Sequence, residues 1–140
     1  MTLSHRITDK RDDLIRLTQD LIRIPTLNPP GENYRGFQTQ LIRAHGTPGD
    51  SEKYPRWNIV ARRDGAQTGE CVHFNSHTDV VEVGQGWTFD PFGGAVSDGK
   101  IYGRGACDMK GGLAASIIAA EAFIEEHPNF QGAIEISGTA

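Results

Sequence analysis

The sequence predicts an α/β fold, with a mainly parallel sheet flanked by helices. Two observations carry that expectation. Helix-like and strand-like patterns alternate along the 140 residues, and such alternation lays helices against a sheet. The clearest helix, 109–126, is preceded by short apolar-centred runs at 58–63 and 71–75 and followed by another at 133–137, all of strand length. One domain with its own core fits in this length.

Residues 9–23 predict an amphipathic helix, because Leu14, Leu17, Leu21 and Ile24 recur at helical spacing. Thr8 is the expected N-cap. Pro25 stops the helix, and Asn28-Pro29-Pro30-Gly31 reads as a loop. A strand is expected at 37–42, and 45–56 reads as loop from its Gly, Pro and charge. Residues 95–96 and 101–102 flank Ser97-Asp98-Gly99-Lys100, where Asp-Gly signals a hairpin turn. Leu113, Ile117, Ala120 and Ile124 mark one face of the long helix, and Pro128 follows its end.

A net charge of −4 argues against a nucleic-acid or anionic-membrane partner. Two cysteines, Cys71 and Cys107, make no disulfide scaffold, so a reducing cytoplasm is the expected location. The first residues lack an apolar core of the signal-peptide kind, and no stretch approaches 18 apolar residues.

The chemistry concentrates between His77 and Asp108. His77 follows a strand, at the sheet edge where α/β folds gather ligands. A lone His there is more often structural. Asp79, two residues on, changes that balance, because a carboxylate can take the second ring N–H of a ligand histidine. Asp108 precedes the long helix, where, taken alone, a plain N-cap is favoured over a metal ligand. Gly103, Gly105, Gly111 and Gly112 around it allow tight turns. A nucleotide loop fails on spacing, since Asp108 stands where the dinucleotide fingerprint needs its third Gly. His73 lies four residues before His77. On a strand that is roughly 13 Å, too far for a shared metal, so His73 is expected in the core or behind the ligands. Cys107 is read as a small packed residue facing away from Asp108, and Trp87, Phe89 and Phe92 as packing in a loop sheltering the site. His5, His45 and His127 are expected to face solvent.

Three ordered runs, His77-Thr78-Asp79-Val80-Val81, Trp87 to Asp90-Pro91-Phe92, and Gly103-Arg104-Gly105-Ala106-Cys107-Asp108-Met109-Lys110-Gly111-Gly112, together resemble one family. It is the dinuclear zinc hydrolase family of acetylornithine deacetylase, succinyl-diaminopimelate desuccinylase, aminoacylase and carboxypeptidase G. Ile24-Pro25-Thr26-Leu27-Asn28-Pro29-Pro30-Gly31 is similar to its N-terminal signature. The resemblance implies a zinc-exopeptidase-like catalytic domain, incomplete, with residues 1–140 as its N-terminal part. The lid and dimerisation domain and the C-terminal half would be absent.

It also implies that His77 binds one metal, that Asp108 bridges two Zn2+ ions (Co2+ or Mn2+ as substitutes), and that Asp79 orients His77. A cis peptide after the bridging Asp is common in the family. The implied reaction is hydrolysis of an N-acyl amino acid or related small amide, in amino-acid metabolism. The alternatives are a di- or carboxypeptidase of the same family, or a non-catalytic fragment that binds metal weakly. The family's general-base Glu sits in an Asp-Glu-Glu motif after the strand that here runs into Gly138-Thr139-Ala140, and it is not in this chain. Family members also place a second helix where Tyr34-Arg35-Gly36-Phe37 leads almost directly to a strand. The implied partner is a small-molecule substrate, with neither nucleic acid nor membrane, and complete members are often homodimers.

Overall fold

The computed structural model describes residues 3–24, 38–45, 50–53 and 56–139. The expected Pro25 stop, the 28–31 loop and the Tyr34-to-Phe37 junction lie outside the described residues.

Two helices replace the single N-terminal helix expected. Helix α1 (Leu3–Asp9) and helix α2 (Arg11–Arg23) meet at Lys10. Thr8 is therefore not an N-cap. It lies inside α1, and its hydroxyl donates back to the Ser4 carbonyl at 3.0 Å, the alternative use of a helical Thr. Asp12 and Asp13 occupy the first turn of α2, where carboxylates favour the helix dipole. Ion pairs of Arg6 with Glu126 and of Lys10 with Glu125 tie the α1–α2 junction to α3 (Gly111–Glu126). The inward stripe of α2 is wider than the leucine spacing suggests, because Thr18 and Ile22 are buried beside Leu21.

The strands are β1 (Gln38–Arg43), β2 (Trp57–Asp64), β3 (Gln67–His77), β4 (Ala95–Ser97), β5 (Lys100–Tyr102) and β6 (Gln131–Thr139). The large sheet has the order β1-β2-β6-β3. An α/β sheet with helices packed on it is as expected, but the mainly parallel sheet is corrected to a mixed one. Only β3 and β6 pair in parallel, and both other pairings are antiparallel. Connection length explains this. A parallel neighbour needs a crossover of a dozen or more residues. The stretch from β3 to β6, carrying α3, supplies one. Only Gly65 and Ala66 separate β2 from β3, so the chain must reverse there.

Strand β6 is the centre of the sheet. Ile134 and Ile136 pack with Leu113, Ala114, Ile117 and Ala120 of α3, with Leu21 of α2 and with Phe130. Leu14, Leu17, Phe123 and Ile124 close the margins of this core. Strand alternation sends Glu135 and Ser137 to the other face, where Arg62 pairs with Glu135 and Ser137 binds His73 and Asn75. No helix among the described residues is long and apolar enough to cross a membrane.

Candidate functional site

The parallel pair β3–β6 builds the site. His77 ends β3 opposite Thr139, and the next residue continues the ladder as the Thr78 N–H donates to the Thr139 carbonyl at 2.7 Å. The Thr78 hydroxyl donates to the same carbonyl at 3.1 Å. His77 thus leaves the sheet from a fixed backbone, at the carboxyl edge where such sheets collect ligands.

Asp108 reaches the same point from a different element. Residues Ala106–Lys110 form one wide helical turn, closed by Lys110 N–H to the Gly105 carbonyl at 2.9 Å. Inside it, Asp108 has extended backbone (φ −128°, ψ 95°), Met109 is also non-helical (φ −137°, ψ 29°), and the peptide between them is cis. Asp108 is not a helix N-cap. Lys110 holds that position for α3, with no side-chain cap bond, and α3 begins two residues later than the 109–126 periodicity suggests. Gly105 sits at φ +81°, and a Cβ there would lie 2.6 Å from Val80 Cγ1. Only glycine lets the turn approach Val80, three residues past the end of β3, so closely.

The imidazole of His77 stands between two carboxylates. Its Nε2 is 3.0 Å from Asp108 Oδ1, and its Nδ1 is 3.1 Å from Asp79 Oδ1 and 3.2 Å from the Asp79 carbonyl. Burial works against the charged ring. The hydrogen bond that the ring donates to Asp108 and the contacts and charge of Asp79 outweigh it, so the pKa of His77 is raised above 6.5. The Asp108 side chain is 87% exposed, and His77 is its one side-chain partner among the described residues. A cleft of about 220 Å³ opens here, lined by His77, Asp79, Asp108, Arg104, Cys107 and neighbouring backbone.

His73 takes no part. Its Nε2 contacts the Ser137 hydroxyl at 2.9 Å on the polar face of the sheet, and that hydroxyl donates to Asn75 Oδ1. Cys107 departs from its expected packed position. It is exposed and lines the same cleft as Asp108, in a turn whose backbone is non-helical at Asp108. The Trp87 loop is held by Arg104 N–H to the Pro91 carbonyl at 2.7 Å and by Gln19 Nε2 to the Gly94 carbonyl at 2.8 Å. Phe89 packs on Tyr102 with ring centroids 4.7 Å apart. Asp98 and Gly99 both have positive φ, as the Asp-Gly hairpin requires. His5, His45 and His127 are exposed.

Two cations of this region were missed by motif reasoning. Arg104 lines the cleft with its guanidinium 5.2 Å from the Trp87 ring centroid. The Lys110 ammonium is buried, donating to the Leu21 and Ile24 carbonyls at 2.8 Å each. Burial lowers its pKa below 10.5. Both lie within the Gly-rich run, but their partners are far away in sequence, so no local pattern points to them.

Among the described residues, no three His, Cys, Asp or Glu side chains are grouped so as to hold a metal ion. The donor chemistry of the pair is nevertheless suited to zinc: one imidazole nitrogen, oriented by a carboxylate on its other side, and one largely exposed carboxylate.

Residues 73–140 match peptidase family M20/M25/M40. Over 130 residues the chain is 42% identical to a succinyl-diaminopimelate desuccinylase of Methylobacterium radiotolerans, covering 88% of this chain and 33% of that protein. Over 127 residues it is 38% identical to the enzyme of the same name from Acinetobacter baylyi, covering 89% of this chain and 33% of that protein. The chain thus spans about a third of the length of these relatives. Its fold is that of human carnosine dipeptidase 1 (TM-score 0.76, 23% identity, 98% of this chain and 33% of that one) and of a dipeptidase from Saccharomyces cerevisiae (TM-score 0.78, 18% identity, 99% and 34%). The ordered His77, Trp87 and Asp108 motifs and these matches together make the chain similar to peptidase family M20/M25/M40, over residues 73–140 by the family match.

Proposed function

We propose that this chain is the N-terminal part of the catalytic domain of a zinc-dependent amidohydrolase that removes the acyl group from an N-acyl amino acid in the cytoplasm. The carrying observation is the meeting of His77, Asp79 and Asp108 at the carboxyl edge of a parallel strand pair. The 42% identity to a desuccinylase supports the choice of an acyl amino acid over a dipeptide.

In this reading His77 and Asp108 would hold zinc, His77 through its imidazole and Asp108 through its carboxylate. Asp79 would hold the proton on Nδ1 and fix the ring plane, so that Nε2, which donates to Asp108 in the metal-free state, could give up its proton to bind metal. The present Nε2–Asp108 contact is the hydrogen bond that the two ligands make with each other. Bound zinc supplies carbonyl polarisation and an acidified water. A tetrahedral zinc needs four donors, so the remaining ligands and the general base come from outside these residues. The 140-residue chain alone should hold zinc weakly and hydrolyse nothing.

The test uses the gene's whole product, assayed on N-succinyl and N-acetyl amino acids and on dipeptides, with and without a chelator. Chelator-sensitive deacylation that disappears in His77→Ala is expected. Deacylation untouched by both treatments would sink the proposal, and a clear preference for dipeptides would correct its substrate class.

A further inference from the structure

Lys110 is the least expected side chain beside the site. It is 3% exposed, yet carries an ammonium. No carboxylate is among its hydrogen-bond partners; two backbone carbonyls, of Leu21 and Ile24, take its protons at 2.8 Å each. Both lie at the C-terminal end of α2. The last carbonyls of a helix have no partner within it and carry the negative end of its dipole. An ammonium has three donors and no acceptor, so it satisfies two of them at once.

The same residue fixes the Asp108 turn. Its N–H closes that turn onto the Gly105 carbonyl at 2.9 Å, and the next N–H, of Gly111, donates to the Ala106 carbonyl. Asp108 sits midway along this closed turn and has no cap bond of its own. The turn is therefore tied to α2 through the Lys110 side chain, while Gly105 lets it lie close to Val80, three residues past the end of β3.

We propose that Lys110 is the positioning residue of the site: by binding the carbonyl end of α2, it sets where the Asp108 carboxylate stands relative to His77. The proposal rests on reading His77 and Asp108 as the metal-binding pair only for its zinc readout; the geometric readout is independent of it.

Two measurements on the 140-residue chain test this, both at a temperature where circular dichroism shows each variant folded. The metal-free His77 ring nitrogen signals report whether Nε2 stays against Asp108. Competition with a chromogenic chelator gives the affinity for zinc. Lys110→Met should lose the Nε2 signature and bind zinc at least tenfold more weakly, the low end of what loss of an orienting partner usually costs. Lys110→Arg should restore part of both. Ile117→Ala, a core truncation in α3, should lower the melting temperature while leaving both readouts intact. Unchanged ring signals in folded Lys110→Met would overturn the proposal and leave Lys110 a helix cap only. If that variant does not fold, Lys110→Gln, which keeps amide donors, is judged by the same criteria. If the unmodified chain binds no measurable zinc, as a two-ligand site allows, the ring signals alone decide the role of Lys110.

Discussion

Replacing Gly105 by Ala tests the close approach on which the Asp108 turn depends. The new methyl meets two separate obstacles. The φ of +81° belongs to the left-handed region, which costs a non-glycine residue about 1–3 kcal/mol. The Cβ would also lie 2.6 Å from Val80 Cγ1, and forced overpacking of this kind costs about 1–3 kcal/mol. The sum is about 2–6 kcal/mol, a large part of a domain's usual stability of about 5–15 kcal/mol. The two terms can be separated. Val80→Ala deletes the clashing methyl and leaves the backbone strain untouched. Urea unfolding of the wild type, both single variants and the double variant therefore forms a cycle. Gly105→Ala should destabilise by at least about 2 kcal/mol, and Val80→Ala alone by about 1 kcal/mol. The double variant should be more stable than additivity predicts by about 1 kcal/mol or more. Additivity within about 0.5 kcal/mol would mean that no real contact is relieved, and Val80 would not be what shapes the turn. A Gly105→Ala variant as stable as wild type would remove the strain argument as well.

Three further outcomes follow from the same structure. Ile22 is completely buried between α2 and the Gly103 backbone, so Ile22→Ala should cost about 2–5 kcal/mol in urea unfolding; a loss under about 1 kcal/mol would contradict its burial. In the metal-free chain His77 should titrate above 6.5, and Asp108→Asn should move the midpoint down by removing the hydrogen bond that favours the charged ring. Because its folded pKa is raised, any stability it adds is present below the unfolded value and lost as pH rises through the folded one; an unmoved midpoint in nuclear magnetic resonance titration would exclude the Asp108 contact. Glu126 has its pKa lowered below 4.5 by the hydrogen bond from Arg6. Its contribution is therefore present above 4.5 and lost as pH falls through the folded value, so Glu126→Gln should lower the melting temperature at pH 7 and not at pH 2.

Local pattern was enough wherever one residue's conformation or one face decided the outcome. The Asp98-Gly99 turn needs two positive φ values, and the sequence offers the pair that tolerates them. The stripe Leu113, Ile117 and Ala120 is buried as its spacing requires. Strand direction was not legible in this way. The alternation of helix and strand suggested parallel pairing, but direction depends on which strand lies beside which, and β6 inserts between β2 and β3 from the far end of the sequence. Thr8 failed for a related reason. A Thr before an acidic, apolar-patterned run looks like a cap, yet ion pairs from Arg6 and Lys10 to Glu126 and Glu125 of α3 accompany a helix that starts earlier.

The site divides along the same line. His77 and Asp79 are two residues apart on one strand end, so their joint role is a local proposition that spacing can raise. Asp108 is ambiguous locally, since a carboxylate before a helix is most simply a cap. The wide turn removes that ambiguity by moving the N-cap position to Lys110 and leaving the carboxylate with His77 as its partner. What permits the turn is distributed over Gly105 against Val80 and Lys110 against the end of α2. The Lys110 contacts span 86 and 89 residues. A buried charge must find its donors' partners somewhere, and here it finds them in main-chain carbonyls, which no side-chain motif can advertise. Sequence therefore reveals the groups that do chemistry more readily than the groups that hold them in place, because the first are chosen for their chemical type and the second for whatever backbone happens to face them.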